Sequence, residues 1–451
     1  MDPSKQDSLT GNSQRLASES KSPEIVQSNT TGPEAKFDRV SPLGGNSRVL
    51  PVSAKSVPWK RLRPLERFFA WTLRNLHGGT LQITFPSGVR ALVGNRSFPV
   101  LQLEIKKPHF FNKVLSGGSI GFGEAYVEGD WDTHDLSGLL LLLAKNQKDL
   151  GCIGRGLSIL AKQANRIYHK ARRNTLERSK KNIQAHYDLS NDFYQTFLDQ
   201  SMTYSSALFQ SLEESLEQAQ FNKIDRMLDL ADVGEGDTIL EIGSGWGALA
   251  LRAVQRGCRV KTITLSEQQF AYAKNLFEHE GVSDRVEIVL EDYRIQTGQY
   301  DAVLSCEMIE AVGREYLGSY FQIVSQSLKP KARAVIQAIT IPDERYESYS
   351  RSCDWIQKHI FPGGHLPSPS AICEHLASAG EAAVIKMEAF GHDYAETLRR
   401  WSASFNAAKS TVDALGFDEA FRRKWNYYLS YCEAGFDADL IDVQHVVIEK
   451  N

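Results

Sequence analysis

Four apolar runs rich in β-branched residues recur between Asp237 and Ser305, and each ends in polar residues. The first, Asp237-Thr-Ile-Leu-Glu241, passes into Gly243, Gly245 and Gly247, and a segment of helical periodicity follows from Ala248 to Gln255. The second, Arg259 to Leu265, ends at Ser266-Glu-Gln-Gln269 and opens another helix. The third, Val286 to Leu290, ends at Glu291-Asp292; the fourth, Tyr300 to Ser305, ends near Glu307 and Glu310. Short buried strands alternating with helices predict a doubly wound α/β sheet with a ligand crevice at the carboxyl ends of its strands.

The pattern upstream is different. Residues 1–58 are rich in Ser, Pro, Asn and Gly, with no apolar period. Such a stretch buries too little surface to offset ordering entropy, and a disordered tail is expected. Residues 59–165 mix a helix (Leu65 to Leu76), strands such as Thr80 to Phe85, and a helix near Leu136, predicting a smaller α+β domain. Residues 166–182 form a linker with a basic run: Arg166, Lys170, Arg172, Arg173, Arg178, Lys180 and Lys181. A solvated helix face and a docking patch for anionic lipid headgroups both fit that run. Residues 183–451 carry the large sheet.

Composition narrows the class. The chain has 451 residues, enough for two or three domains, with 42% hydrophobic and 24% charged residues. A net charge of -3 excludes a globally basic nucleic-acid binder. Six cysteines without a C-x-x-C pair fit reduced thiols. No apolar run reaches the length of a membrane span, and Leu136 to Ala144, the greasiest, is too short. The first residues lack the apolar core of a signal peptide, and Asp2, Asp7 and Glu19 speak against a mitochondrial-type leader. No His/Cys/Asp cluster has metal-ligand spacing.

The glycine loop alone fits either a tight turn or a nucleotide-type ligand. A dinucleotide site wants G-x-G-x-x-G and an acid at the end of the second strand. Here the spacing is G-x-G-x-G, and the second strand ends in Thr264, Leu265 and Ser266. That pattern fits S-adenosylmethionine better than a nicotinamide cofactor. Glu241 is expected near the methionine part and Asp292 at the adenine amine. Thr264, Leu265, Ser266 and Gln269 are left for the ribose side.

From about Asn182 onward the chain resembles the cyclopropane-fatty-acyl-phospholipid synthases and the related mycolic-acid methyltransferases. The resemblance is carried by His186-Tyr-Asp-Leu-Ser-Asn-Asp-Phe193, Met202-Thr-Tyr-Ser-Ser206, the glycine loop, Thr264 to Gln269, Glu291-Asp-Tyr-Arg294, Met308-Ile-Glu-Ala-Val-Gly313, Ile360-Phe-Pro-Gly-Gly364 and Tyr427-Tyr-Leu429. Gly117 to Trp131 resembles the smaller amino-terminal domain of the bacterial enzymes, and Gln337 with Ile341 to Arg345 is similar to the plant branch. The resemblance implies a Rossmann-like S-adenosylmethionine-dependent C-methyltransferase. Its substrate would be the cis double bond of an unsaturated phospholipid acyl chain, and its product a cyclopropane. It also implies cytoplasmic location at the inner face of a membrane, and it leaves a homodimer open. The amino-terminal domain would handle lipid or serve only as a structural cap.

Methylation of an alkene leaves a carbocation, so the protein must supply an apolar tunnel, aromatic faces and a base. Tyr187, Phe193, Tyr194, Phe197, Tyr204 and Phe209 provide aromatics, divided between core and site. By resemblance, Tyr204 and Ser205 contact the cofactor and Tyr187 lies near the reacting carbons. The family's base is a bicarbonate ion; its ligands map onto Ser206, Glu310, Gln337, Ile339 and Tyr394. Ser206 stands where the family has Cys, and Gln337 where it has His. Those departures keep open a methyl- or methylene-branched product. A catalytically inactive lipid-binding protein is the alternative of another class. Cys432 reads as a packed thiol, since alkene methylation needs no covalent enzyme intermediate, and His365 as part of a turn or of the acyl tunnel wall.

Overall fold

The computed structural model describes residues 57–95, 97–150 and 189–451. Most of the expected tail, the basic run, Tyr187 and Cys152 lie outside the described residues.

Two sheets organise the chain. The larger has seven strands in the order β10-β11-β9-β8-β5-β6-β7. They are β5 (Thr238–Ile242), β6 (Arg259–Thr264), β7 (Val286–Leu290), β8 (Tyr300–Cys306), β9 (Leu328–Thr340), β10 (Ala382–Ala389) and β11 (Asp442–Lys450). Strands β5 to β9 pair in parallel, whereas β11 runs antiparallel to both β9 and β10. The chain winds outward through β5, β6 and β7, then returns to lay β8 on the other side of β5. The glycine loop after β5 therefore sits where the winding direction reverses, the place where such sheets open a crevice.

The four expected strands are β5 to β8, each within a residue or two of its predicted limits, and the helix Ala248–Gln255 has its predicted limits. Alternation explains the burial. Ile239 of β5 packs with Leu249, Ala253 and Phe277 on one face, while Leu240 and Ile242 pack with Phe321, Val324 and Leu376 on the other. The helix that precedes β5 and the one that follows β6 start on serine caps: Ser215 Oγ accepts from Gln218 N, and Ser266 Oγ from Gln269 N.

The smaller sheet has the order β2-β1-β3-β4, from β1 (Thr80–Thr84), β2 (Arg90–Gly94), β3 (Val100–Ile105) and β4 (Trp131–Asp132). The helix expected from Leu65 to Leu76 is shorter, Pro64–Thr72. Among the aromatics that follow, Phe193 in the short helix Asn191–Tyr194 and Phe197 just after it belong to the core.

One aromatic core joins the two parts. It runs from Phe110 and Trp131 beside the small sheet to Tyr427, Trp425, Phe193 and Trp401 among the carboxy-terminal helices. The Arg423 guanidinium donates to the carbonyls of Tyr126 (2.6 Å) and Trp131 (2.9 Å), and Glu124 accepts from Lys358 (2.6 Å) and sits 3.0 Å from His359 Nε2. No described helix is long and apolar enough to cross a membrane.

Candidate active site

A cavity opens at the carboxyl ends of β5, β6 and β8. Its wall includes Tyr204, Ser205, Glu241, Gly243, Gly245, Thr264, Leu265, Gln269 and Glu307. Gly243 (φ +96°) and Gly245 (φ +49°) hold the left-handed backbone that favours glycine. A Cβ on Gly245 would meet nothing within 4 Å, so the backbone there faces open cavity. Glu241 is 2% exposed, its Oε2 has no hydrogen-bond partner, and burial pushes its pKa up to about 8. A buried acid with one unpartnered oxygen beside a bare backbone loop fits S-adenosylmethionine, whose amino group is a cation that would favour its ionised form. The Thr264 hydroxyl donates to Gln269 Oε1 at 3.0 Å and fixes that side chain along the wall.

Three expected ligand residues do other work. Ser266 is a helix cap, and its hydroxyl is taken by Gln269 N. Asp292 meets the guanidinium of Arg294 with both oxygens, at 2.8 and 2.6 Å, and caps a short turn. Its neighbours Glu291 and Tyr293 take the cavity wall instead. Gly247 (φ +99°) is required by packing, since a Cβ there would lie 3.0 Å from Phe277.

Glu307 on this wall and nearby Glu310 form a half-buried pair of acids. The Glu307 carboxylate accepts from Ser206 N (2.8 Å), Gln337 Nε2 (2.8 Å) and the Tyr394 hydroxyl (2.7 Å). Glu310 accepts from Ile339 N, and its other oxygen has no partner. The five groups expected to hold a bicarbonate are thus brought together, but a side-chain carboxylate stands among them. Three of the five bind Glu307, a fourth binds Glu310, and Glu310 is itself the fifth. A side-chain acid of the chain thus occupies the centre of this donor set.

The electrostatics separate the two acids. Burial, then repulsion from Glu307, pushes Glu310 up to about 8, so it carries a proton at neutral pH. Burial also raises Glu307, opposed by its three donors, and those donors favour its ionised form. Tyr394 is held neutral, its pKa raised well above the usual value by burial and by Glu307. Gln337 is oriented from behind. Buried His445 is kept neutral, its pKa pushed down to about 3 by burial. Its Nε2 lies 3.0 Å from Gln337 Oε1, so Nε2–H donates there and turns the amide nitrogen toward Glu307.

The family described as mycolic acid cyclopropane synthetase matches residues 174–446. The chain belongs to that family. It is 41% identical to the tuberculostearic acid methyltransferase UfaA1 of Mycobacterium tuberculosis, over 72% of this chain and 78% of that protein. It is 32% identical to the cyclopropane-fatty-acyl-phospholipid synthase of Escherichia coli K12, over 79% and 89%. The mycolic acid cyclopropane synthase CmaA1 complexed with SAH and CTAB superposes with a TM-score of 0.57 at 32% identity, covering 60% of this chain and 98% of that one. This member of the mycolic acid cyclopropane synthetase family is an S-adenosylmethionine-dependent methyltransferase.

Tyr204 and Ser205, expected at the cofactor, line the cavity described above. The Tyr204 hydroxyl lies 2.9 Å from that of Tyr428, and its ring packs 5.2 Å from Trp401 and 5.3 Å from Tyr194. Sequence reasoning missed Glu307 and buried Lys223, whose Nζ donates to Ser205 Oγ at 2.6 Å. Glu307 carried a signal: it is an acid directly after the fourth strand. Lys223 had none, lying inside an amphipathic helix. Cys432 is a packed thiol with its pKa raised by burial. His365 belongs to the turn after helix Trp355–His359, its Nε2 3.2 Å from the Tyr346 hydroxyl.

Proposed function

We propose that this methyltransferase acts on the cis double bond of unsaturated phospholipid acyl chains and forms a cyclopropane, with Glu307 as the base. The observation that carries the reading is the Glu307 carboxylate, held by three donors on the wall of the cofactor cavity. When bound, the cofactor supplies an electrophilic methyl group. The residues around it then have separable tasks. Glu241 and the glycine loop orient the donor. The rings of Tyr204, Tyr194 and Trp401 offer faces that tolerate a cation in a dry site. The alkene π pair would form the bond to the methyl as the methyl–sulfur bond breaks and the sulfur leaves with its electrons, and a carbocation would remain on the neighbouring carbon. Glu307 takes a proton from that methyl, and the freed C–H pair closes the ring. Ser206 N, Gln337 and Tyr394 keep the carboxylate aimed, while protonated Glu310 avoids a second negative charge beside it. No separate bicarbonate is needed.

A second reading is a methyl- or methylene-branched product, from loss of a different proton or a hydride shift before it. It is favoured by the 41% identical relative, which is named for methyl transfer and not for cyclopropane formation. One experiment addresses both. Purified chain is supplied with unsaturated phospholipid and methyl-labelled S-adenosylmethionine, and the lipids are analysed by mass spectrometry. A labelled gain of one methylene mass supports acyl methylation, and NMR of the product separates a ring from a branch. Absence of label in any lipid would remove the substrate class.

A further inference from the structure

The helix Pro64–Thr72 packs only one side of itself. Phe69, Ala70 and Leu73 point into the core, where the Phe69 ring meets Phe110 at 5.3 Å and Phe111 at 5.8 Å. On the opposite side, at a spacing of three residues, Leu65, Phe68 and Trp71 are 43%, 43% and 51% exposed. Phe68 and Trp71 stack on each other at 6.3 Å. The turn after the helix abuts the end of β2, where a Cβ on Gly94 would lie 3.5 Å from Leu76 Cβ. The loop that leaves β2 there carries Phe98, almost wholly exposed.

Charge decides what this apolar face meets. Lys60, Arg61, Arg63, Arg67 and Arg74 are all exposed around it. The Arg74 guanidinium lies 4.1 Å from the Trp71 ring centroid. The one acid between residues 60 and 79, Glu66, is buried and accepts from Arg63 N and Ser87 Oγ, both at 2.9 Å. Exposed aromatic and aliphatic side chains rimmed by cations, with no exposed acid among them, match the interface of an anionic bilayer. A second copy of the chain is a poorer occupant, because it would set five cations against five.

We propose that helix 64–72, with Phe68 and Trp71 as its inserted residues and the surrounding Lys and Arg as its electrostatic rim, docks this chain on anionic lipid surfaces. This goes beyond the acyl-methylation reading, and its evidence does not depend on it. The test is co-sedimentation of the full chain with phosphatidylcholine vesicles, with and without phosphatidylglycerol. The parent is expected to bind the anionic vesicles, and added salt to weaken binding. Phe68→Ser with Trp71→Ser should lower the bound fraction about tenfold with an unchanged thermal midpoint, since both residues are exposed. Arg61→Gln, Arg63→Gln and Arg67→Gln together should erase the preference for phosphatidylglycerol. Parent-like sedimentation of the Phe68/Trp71 variant would overturn the proposal. So would loss of self-association in that variant with unaltered vesicle binding. Turnover on detergent-dispersed phospholipid keeps the two readings apart: the docking variants should match the parent there, whereas a parent inactive on that substrate counts against the acyl-methylation reading alone.

Discussion

At the scale of single residues the site turns on two acids three positions apart with different surroundings. Glu307 occupies left-handed backbone (φ +49°), a conformation that costs a non-glycine residue about 1 kcal/mol and persists where surrounding contacts fix it. Those contacts are visible: its N–H donates to Gln337 O at 2.8 Å, and its side chain is held by three distant segments. Glu310, pushed up to about 8, is neutral below that pH and gains a charge above it, next to Glu307. Turnover should therefore fall as pH rises through about 8. Glu310→Gln, which mimics the neutral acid, should remove that alkaline limb from the kcat–pH profile; a limb that survives the change would assign it elsewhere. The sequence places both acids after the fourth strand, and resemblance points to Glu310. What singles out Glu307 is convergence of Ser206, Gln337 and Tyr394, which is a property of the folded chain.

At the scale of elements, the parallel strands were legible because each is a short apolar run closed by polar residues, and burial on both faces demands that pattern. The antiparallel end was not. β10 carries Lys386 and Glu388 on an edge with a register shift, so its alternation is broken. Helix 64–72 was overestimated because the apolar period continues past Thr72 into Leu73 and Leu76, which pack in a turn. The glycine loop divides between two duties. Gly245→Ala adds a Cβ where only the cavity lies, so calorimetry should show weaker S-adenosylmethionine binding, with the fold losing only the roughly 1–2 kcal/mol that a left-handed φ costs alanine. Gly247→Val combines a forbidden φ with a contact to Phe277 and should cost about 1–3 kcal/mol of folding stability. Equal effects of the two changes on both readouts would refute this division.

At the scale of the whole molecule, the small sheet is fastened to the methyltransferase part by one aromatic core and a few charged contacts. Glu124 is the clearest of these: His359, then Lys358, hold its pKa at about 2, below the ordinary 4.5. A depressed carboxylate contributes stability that is fully present above its unfolded pKa and lost as pH falls through the folded one. Glu124→Gln should thus lower stability by about 1–2 kcal/mol at pH 7, after allowance for solvent screening. The gap from the parent should narrow between about pH 4.5 and 2, as thermal melts at pH 7 and pH 3 would show. A gap that is the same at both would mean that the ion pair is not its source.

The central claim, that the chain carries its own base in Glu307, is tested most directly by single-turnover methyl transfer to unsaturated phospholipid with bicarbonate stripped from the buffer. The parent should be indifferent to bicarbonate. Glu307→Gln should slow by about 10²- to 10⁴-fold with S-adenosylmethionine affinity nearly intact, because the lost interaction acts on the transition state. A parent that slows without bicarbonate and recovers when it is restored, together with a Glu307→Gln variant of ordinary rate, would contradict the account.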